Sequence, residues 1–282
     1  MSAPDHPLTP APSAAIDSRA AALLEPLTAL VIEAGAAILA VRHGTLSIVE
    51  KPDGSPVTQA DLAADRIISD GLARLAPDIP SLSEERAGEA QLPCTELFFV
   101  VDPLDGTKEF IAGRDEFTVN LALVANGTPI LGLVGAPALG LVWRGHVGHG
   151  AERIICASGN SPAAVEPTRT RPLPAPGAPW VAAVSRSHGD ARTDAFIAAR
   201  PGAVRKTLGS AVKFGRVADG NVDIYPRLSP TSEWDVAAGH AVVVAAGGKV
   251  TDAQGQPLRY GTGRNGFILP NFIAWGDPSA LP

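Results

Sequence analysis

An unbroken apolar run, Leu97-Phe98-Phe99-Val100-Val101, stops abruptly at Asp102-Pro103, and this run constrains the fold more than any other stretch of the chain. Five apolar residues with no polar alternation read as a strand covered on both faces. The Asp-Pro step is expected to end that strand, since proline adds no ladder donor and restricts the residue before it. Asp105, Gly106 and Thr107 follow. Two carboxylates at the rim of a rigid sheet suit a hard cation such as Mg²⁺, which takes oxygen ligands. The backbone N–H groups of Gly106 and Thr107 suit a phosphate. Taken alone, Asp-x-x-Asp-Gly reads equally well as a solvated turn.

Composition narrows the function classes. With 282 residues, 45% hydrophobic and 18% charged, the chain holds a sizeable core in one large or two ordinary domains. A net charge of −6 argues against nucleic-acid binding, which calls for a basic face. The two cysteines, Cys94 and Cys156, show no metal-type spacing, and the simple expectation is a reduced cytoplasmic protein. Residues 1–20 are expected to be a disordered tail. The first 15 residues carry four prolines and neither an early basic cluster nor a signal-type apolar segment. Leu23 to Val41 is interrupted by Glu25, Pro26 and Glu33, so no integral membrane segment is expected. Monomer and homodimer, and peripheral association with an inner membrane, stay open.

In chain order, Pro26 suits the first turn of a helix whose inward face is Leu27, Leu30, Val31, Ala34, Ile38 and Val41, ending at Gly44. Lys51 to Pro56 is a turn-rich loop. Thr58-x-x-Asp61 resembles a capping box opening a second helix, with Ile67, Ile68, Leu72 and Leu75 inward. Asp61 is a helix cap or a reactive acid on this reading. Glu84 and Glu85 sit in a loop just ahead of the central strand. Phe117 to Leu123 alternates, Asn126-Gly127 is a turn, and Ile130 to Val134 resumes the pattern, which together predict a β-hairpin. A further strand at Leu139 to Trp143 implies an antiparallel sheet. His146 and His149 read as loop residues of a Gly-rich turn. Residues 160–179 contain six prolines and read as a linker.

A second α/β unit follows. It has a strand at Trp180 to Val184 ending in Ser185-Arg186-Ser187-His188, helices at 190–199 and 210–218, and a strand at Val222 to Tyr225. Thr231 or Ser232 then caps a helix reaching about Ala246. Asp235 is expected in its first turn, where the helix dipole favours an acid and a phosphate alike.

Asp102-Pro103-Leu104-Asp105-Gly106-Thr107, followed much later by Trp234-Asp235-x-Ala-Ala-Gly, resembles the paired signatures of the inositol monophosphatase superfamily. With Thr58-x-x-Asp61 and Glu84-Glu85 upstream, the resemblance spans Leu23 to Trp275. It implies a layered αβαβα sandwich of the inositol monophosphatase and fructose-1,6-bisphosphatase type, α/β in class. An N-terminal α+β part with an antiparallel sheet (21–159) would join a C-terminal α/β part (180–282). It implies a metal-dependent, often lithium-sensitive phosphomonoesterase using two or three Mg²⁺ ions. Within the superfamily, Lys108-Glu109-Phe110, Phe117-Thr118-Val119-Asn120, Ser185 to His188 and Tyr225-Pro226-Arg227 are similar to bacterial 3'(2'),5'-bisphosphate nucleotidases. Those enzymes convert adenosine 3',5'-bisphosphate to AMP and phosphate. Inositol-handling relatives carry a Glu where Pro226 and Arg227 stand, and an arginine there suits a second phosphate.

By that resemblance Glu84, Asp102, Asp105, Asp235 and the Leu104 carbonyl would hold the metals. Asp61 and Thr107, with Glu84, would activate the attacking water. Leu104, Asp105, Gly106, Thr107 and Asp235 would meet the scissile phosphate. Ser185, His188, Gly209, Ser210, Lys213 and Arg227 would hold the rest of a nucleotide bisphosphate. A sugar-phosphate phosphatase of the same family, and a non-catalytic nucleotide or metal sensor, are the alternatives.

Overall fold

The computed structural model describes residues 12–42, 48–50, 56–87, 95–157, 161–263 and 266–281. Gly44, the loop Lys51 to Ser55, Cys94 and residues 1–11 of the expected tail lie outside the described residues. Helices α1 (Ala14–Arg42) and α2 (Gln59–Leu75) precede a seven-stranded sheet. Its strands are β3 (Ser81–Ser83), β4 (Leu97–Asp105), β5 (Thr118–Ala125), β6 (Thr128–Ala136), β7 (Leu141–His146), β8 (Gly150–Cys156) and β9 (Pro162–Thr168). They lie side by side in chain order, β3 and β4 parallel and the rest antiparallel. The short ribbon β1 (Ile48–Glu50) with β2 (Pro56–Thr58) leads into α2.

The C-terminal sheet is five-stranded. In spatial order it runs β11 (Val204–Leu208), β10 (Val181–Ser185), β12 (Ile224–Arg227), β16 (Phe272–Trp275) and β14 (Lys249–Thr251). The pair β13 (Thr231–Ser232) and β15 (Ile268–Leu269) stands apart from it. Helices α3 (Thr107–Ile111), α4 (Ala191–Ala198), α5 (Val212–Ala218) and α6 (Ala237–Ala245) complete the chain.

Three cores fix the layering. α1 and α2 bury Leu27, Ile38 and Ile68 against Phe99, Val101 and Leu121 on one face of the large sheet. The other face, through Phe98, Val100 and Trp143, packs on α5 and α6, which in turn cover Tyr225 and Phe272 of the small sheet. Ile197 of α4 closes the outer face over Ile224 and Trp275. The order is therefore αβαβα, as expected, and β4 is covered on both faces because its neighbouring residues feed different cores.

Several expectations need correcting. α1 starts at Ala14, so residues 14–20 of the expected tail are helical, and it runs straight through Pro26. An interior proline costs about 3 kcal/mol. Burying Leu23, Leu27, Leu30 and Val31 at roughly 1.5–3 kcal/mol each outweighs that. Among the described helices α1 alone has the length and apolarity to cross a membrane, but its buried face packs on α2, β5 and β6. On α2, Leu75 is 40% exposed rather than inward. The proline-rich segment is not all linker, because 162–168 form the outermost strand of the large sheet, a position that tolerates missing N–H donors. β11 went unread. Thr231 and Ser232 pair as a strand instead of capping a helix, so α6 begins only at Ala237 and Asp235 precedes it.

β4 does not end at Asp102 either. It continues through Pro103 to Asp105, with the register slipping by one residue against β5 between Asp102 and Asp105. Proline is accommodated at such a bulge. Residues three apart on a regular strand point to opposite faces. The extra residue corrects that parity and lets Asp102 and Asp105 serve one site.

Candidate active site

Oxygen atoms of Asp102, Asp105 and Asp235 come within 4.8 Å of one another. Asp102 and Asp105 come from the bulge of β4, and Asp235 from the segment between β13 and α6, where the Thr231 hydroxyl donates to its carboxylate. Asp102 also accepts the Leu104 N–H at 3.1 Å. Glu84 follows β3, which lies parallel to β4 and carries it to the same rim.

The cluster is electrostatically strained. Burial pushes the Asp102 carboxyl well above the usual range, and Glu84, Asp105, Asp235 and Asp61 add repulsion. Burial and then Asp235 raise Asp105 to about 7, while Lys213 and Arg227 pull it back. Closely spaced acids that resist ionisation together lack positive charge, and an all-oxygen donor set of this kind fits a hard divalent cation.

Asp61 lies behind this cluster, 2% exposed. The capping box is real: its Oδ2 accepts the Thr58 N–H at 2.8 Å and the Thr58 hydroxyl at 2.6 Å. Its other oxygen accepts the Thr107 hydroxyl at 3.0 Å. The same hydroxyl lies 3.2 Å from the Leu104 carbonyl. Asp61 therefore caps a helix and also holds Thr107, and the two readings of it are compatible.

Gly106 turns the chain from β4 into α3 with φ +91°, the left-handed region that glycine enters without penalty. A side chain there would come within 3.1 Å of the Ser210 Cβ, so the turn is also where the two parts of the chain meet. Ser210 is itself left-handed at φ 40°, and the Thr118 hydroxyl donates to it at 3.3 Å. Beside this contact the C-terminal part donates to acids of the N-terminal part. Arg186 and the Gly209 N–H both reach Glu116, and the Ser187 hydroxyl reaches Glu109.

A cavity of about 560 Å³ opens over the acids. Glu84, Asp102, Leu104, Asp105, Gly106, Thr107, Ser185, His188, Ser210, Lys213, Arg227 and Asp235 all line it. Two expected residues do not. Asp61 is screened by Thr107, and Gly209 has given its N–H to Glu116 at 3.0 Å. A Cβ on Gly209 would meet the Glu116 carbonyl at 2.5 Å, so the glycine serves a close approach rather than the cavity.

Lys213 is buried, its ammonium donating to the Ser210 carbonyl at 2.5 Å, and burial lowers it to about 8 against the pull of Asp105. Arg227 ends β12. One of its terminal nitrogens donates to the Pro230 carbonyl at 3.3 Å, and its Nε is buried without an acceptor among the described residues. Sequence reasoning missed the floor of the cavity, Phe214, Tyr225 and Phe272, whose rings pack at centroid distances of 5.0–5.2 Å. Their alternation and helical spacing signal only a core.

Residues 20–274 match the model of the inositol monophosphatase family. A 3'(2'),5'-bisphosphate nucleotidase CysQ of Escherichia coli K12 is 42% identical over 253 residues, covering 89% of this chain and 98% of the relative. The protein of the same name from Buchnera aphidicola is 34% identical over 265 residues, covering 89% of this chain and 93% of the relative. Among solved structures, CysQ from Bacteroides thetaiotaomicron superposes with a TM-score of 0.72 at 33% identity, covering 89% of this chain and 97% of that one. An IMPase from Thermotoga maritima gives 0.70 at 28%, covering 90% and 92%. The layered fold, the bulged Asp-x-x-Asp strand and these matches agree: this chain belongs to the inositol monophosphatase family.

Proposed function

We propose that the chain is a Mg²⁺-dependent 3'(2'),5'-bisphosphate nucleotidase that removes the 3'-phosphate of adenosine 3',5'-bisphosphate, releasing AMP. The observation that carries this reading is a single cavity lined both by the carboxylate cluster and by two cationic side chains, Lys213 and Arg227. One phosphate placed over the acids leaves a second anionic group of the same substrate facing the cations. The identity to nucleotidases over nearly their whole length supports the choice of substrate class.

Asp102, Asp105 and Asp235, with Glu84 and the Leu104 carbonyl, would hold two or three Mg²⁺ ions. When bound, these ions neutralise the phosphate dianion and make water a better nucleophile at neutral pH. The chain's own residues supply the rest. The Thr107 hydroxyl gives its proton to the Asp61 hydrogen bond, which leaves its oxygen free to accept from an attacking water. The water's proton passes by this route to Asp61, while the new bond forms at phosphorus and the bond to the sugar oxygen breaks, its electron pair staying on that oxygen, which takes a proton from solvent water to become the product hydroxyl. The Gly106–Thr107 turn, at the N-terminal end of α3, presents N–H groups that lack intrahelical acceptors, suited to the phosphate oxygens. Arg227 has donors to spare for the 5'-phosphate. Ser185 and His188 flank the nucleoside.

Phosphate release tests this directly. With Mg²⁺, adenosine 3',5'-bisphosphate is expected to be hydrolysed faster than inositol 1-phosphate, fructose 1,6-bisphosphate or AMP. EDTA should abolish the activity, Mg²⁺ restore it and Li⁺ inhibit it. Preference for inositol 1-phosphate would assign the chain to the sugar-phosphate branch. Tight binding of Mg²⁺ and nucleotide without turnover would make it a sensor.

A further inference from the structure

Far along the chain from the phosphatase motifs, the β7–β8 turn brings two imidazoles together. His149 donates its N–H to the His146 carbonyl at 2.9 Å, and Gly148, at φ +89°, supplies the left-handed residue that closes such a turn. The rings stack 4.2 Å apart at an interplanar angle of 21°. Asp17, in the first turn of α1, meets both of them: His146 Nε2 and His149 Nε2 each lie 3.0 Å from its Oδ1. The Asp17–His149 contact is a hydrogen bond. The His146 contact, at the same distance, falls outside hydrogen-bond geometry, and His146 Nε2 is buried without a hydrogen-bond partner among the described residues, in a side chain only 4% exposed. A buried ring nitrogen held 3.0 Å from a carboxylate and stacked beside a second imidazole sets three candidate ligands at one point. The neighbouring positive charge, Arg144, is already held by Glu25 at 2.7 Å and Glu152 at 2.6 Å.

We propose that Asp17, His146 and His149 form a second metal site, for a first-row transition ion such as Zn²⁺, which clasps the start of α1 to the β7–β8 turn. The three donor atoms lie within 4.8 Å of one another. Bonds of about 2.0–2.1 Å in a tetrahedral zinc site place ligands roughly 3.3 Å apart, so the donors are close enough, and binding would turn the stacked rings so that both nitrogens face one ion. Two imidazoles and one carboxylate prefer Zn²⁺ to Mg²⁺, whereas the cavity acids prefer the reverse. His149, with a side chain 54% exposed, leaves the fourth position to water. None of the three residues lines the catalytic cavity.

The test is zinc uptake by EDTA-stripped protein in excess Mg²⁺, read by competition with a chromophoric zinc indicator, with melting temperature measured in parallel. The parent should take up one Zn²⁺ more than His149→Ala or Asp17→Asn, bind it at least tenfold more tightly, and gain thermal stability that both variants lack. Phosphate release with Mg²⁺ alone should be the same in all three. Equal uptake and equal stabilisation by Zn²⁺ in the parent and in His149→Ala would overturn the site.

Discussion

The N-terminal part brings Glu84, Asp102 and Asp105 to the cavity, with Asp61 behind them, whereas the C-terminal part brings Lys213, Arg227 and His188. The same polarity extends around the rim, where Glu109 and Glu116 of the first part accept hydrogen bonds from Ser187, Arg186 and Gly209 of the second. Asp235 is one exception, an acid that crosses from the second part to complete the cluster, and Lys108 is another, a cation of the first part that lines the cavity. On the mechanism proposed above, the difference assigns separable tasks: the first part carries the cation-binding and proton-handling groups, and the second part reads the anion. Donors of the second part meeting acids of the first also give the two parts a preferred way to meet.

The largest effect expected from this division lies on the acidic side. Asp61→Asn keeps the size and the capping geometry but cannot take up a proton. We expect kcat to fall by about 10²–10⁴, with KM little changed and the melting temperature close to the parent's. Near-normal turnover would mean that Asp61 only caps α2.

Next in size is a pH effect in the layer that joins the halves. Burial lowers His240, hydrogen-bonded to Tyr260 at 3.0 Å, to about 4, and raises Glu233 to about 7. Between pH 4 and 6.5 the unfolded chain protonates His240 while the folded one does not, so the stability it contributes above 6.5 is lost as pH falls. Glu233 behaves oppositely. Unfolded, it ionises near 4.5; folded, it keeps its proton to about 7, so stability falls as pH rises across that window. In the parent the two slopes oppose each other. Relative to the parent, His240→Gln should be more stable at pH 4.5 than at pH 7.5 by roughly 3 kcal/mol, and Glu233→Gln should show the reverse sign. Urea denaturation at both pH values measures it, and equal signs would refute the assignment.

On the basic side, Arg227→Gln should raise KM for adenosine 3',5'-bisphosphate by about 10–100-fold, since a charged hydrogen bond contributes roughly 1.5–3 kcal/mol. A simple phosphomonoester should be affected far less. Equal losses on both would place Arg227 in the scaffold and blur the division. The smallest effect concerns the seam itself. Ser210→Gly relieves a left-handed serine at φ 40°, worth up to about 1 kcal/mol, and should raise the melting temperature by about 2–4 °C. The lost hydroxyl contact with Thr118 should show as slower phosphate release.

Much of this was legible in the sequence because its signals are local. The Leu97–Val101 run, the Asn126-Gly127 turn and Thr58-x-x-Asp61 each specify their own geometry within a few residues. The site acids were legible because they stand beside such signals. What escaped depends on distant partners. Pro26 and the alanines before it suggest a helix start until packing on the sheet and α2 is known. The exposed polar residues of β11 carry no apolar alternation. Thr231 reads as a cap because its strand partner, Leu269, is remote. The bulge that brings Asp102 and Asp105 to one face is invisible without β5. Asp17 and His149 are 132 residues apart, and no local pattern joins them.

The outermost strand of the large sheet, β9, carries Pro162 and Pro167 and is exposed along nearly its whole length. A strand edge is normally a template on which another chain can add, the route to runaway β-assembly. Here the edge lacks two donors, and the sheet's opposite edge, β3, offers only three residues. The large sheet therefore ends at both sides in positions poorly suited to further pairing, and copies of this protein that associate would do so through their faces rather than by extending that sheet.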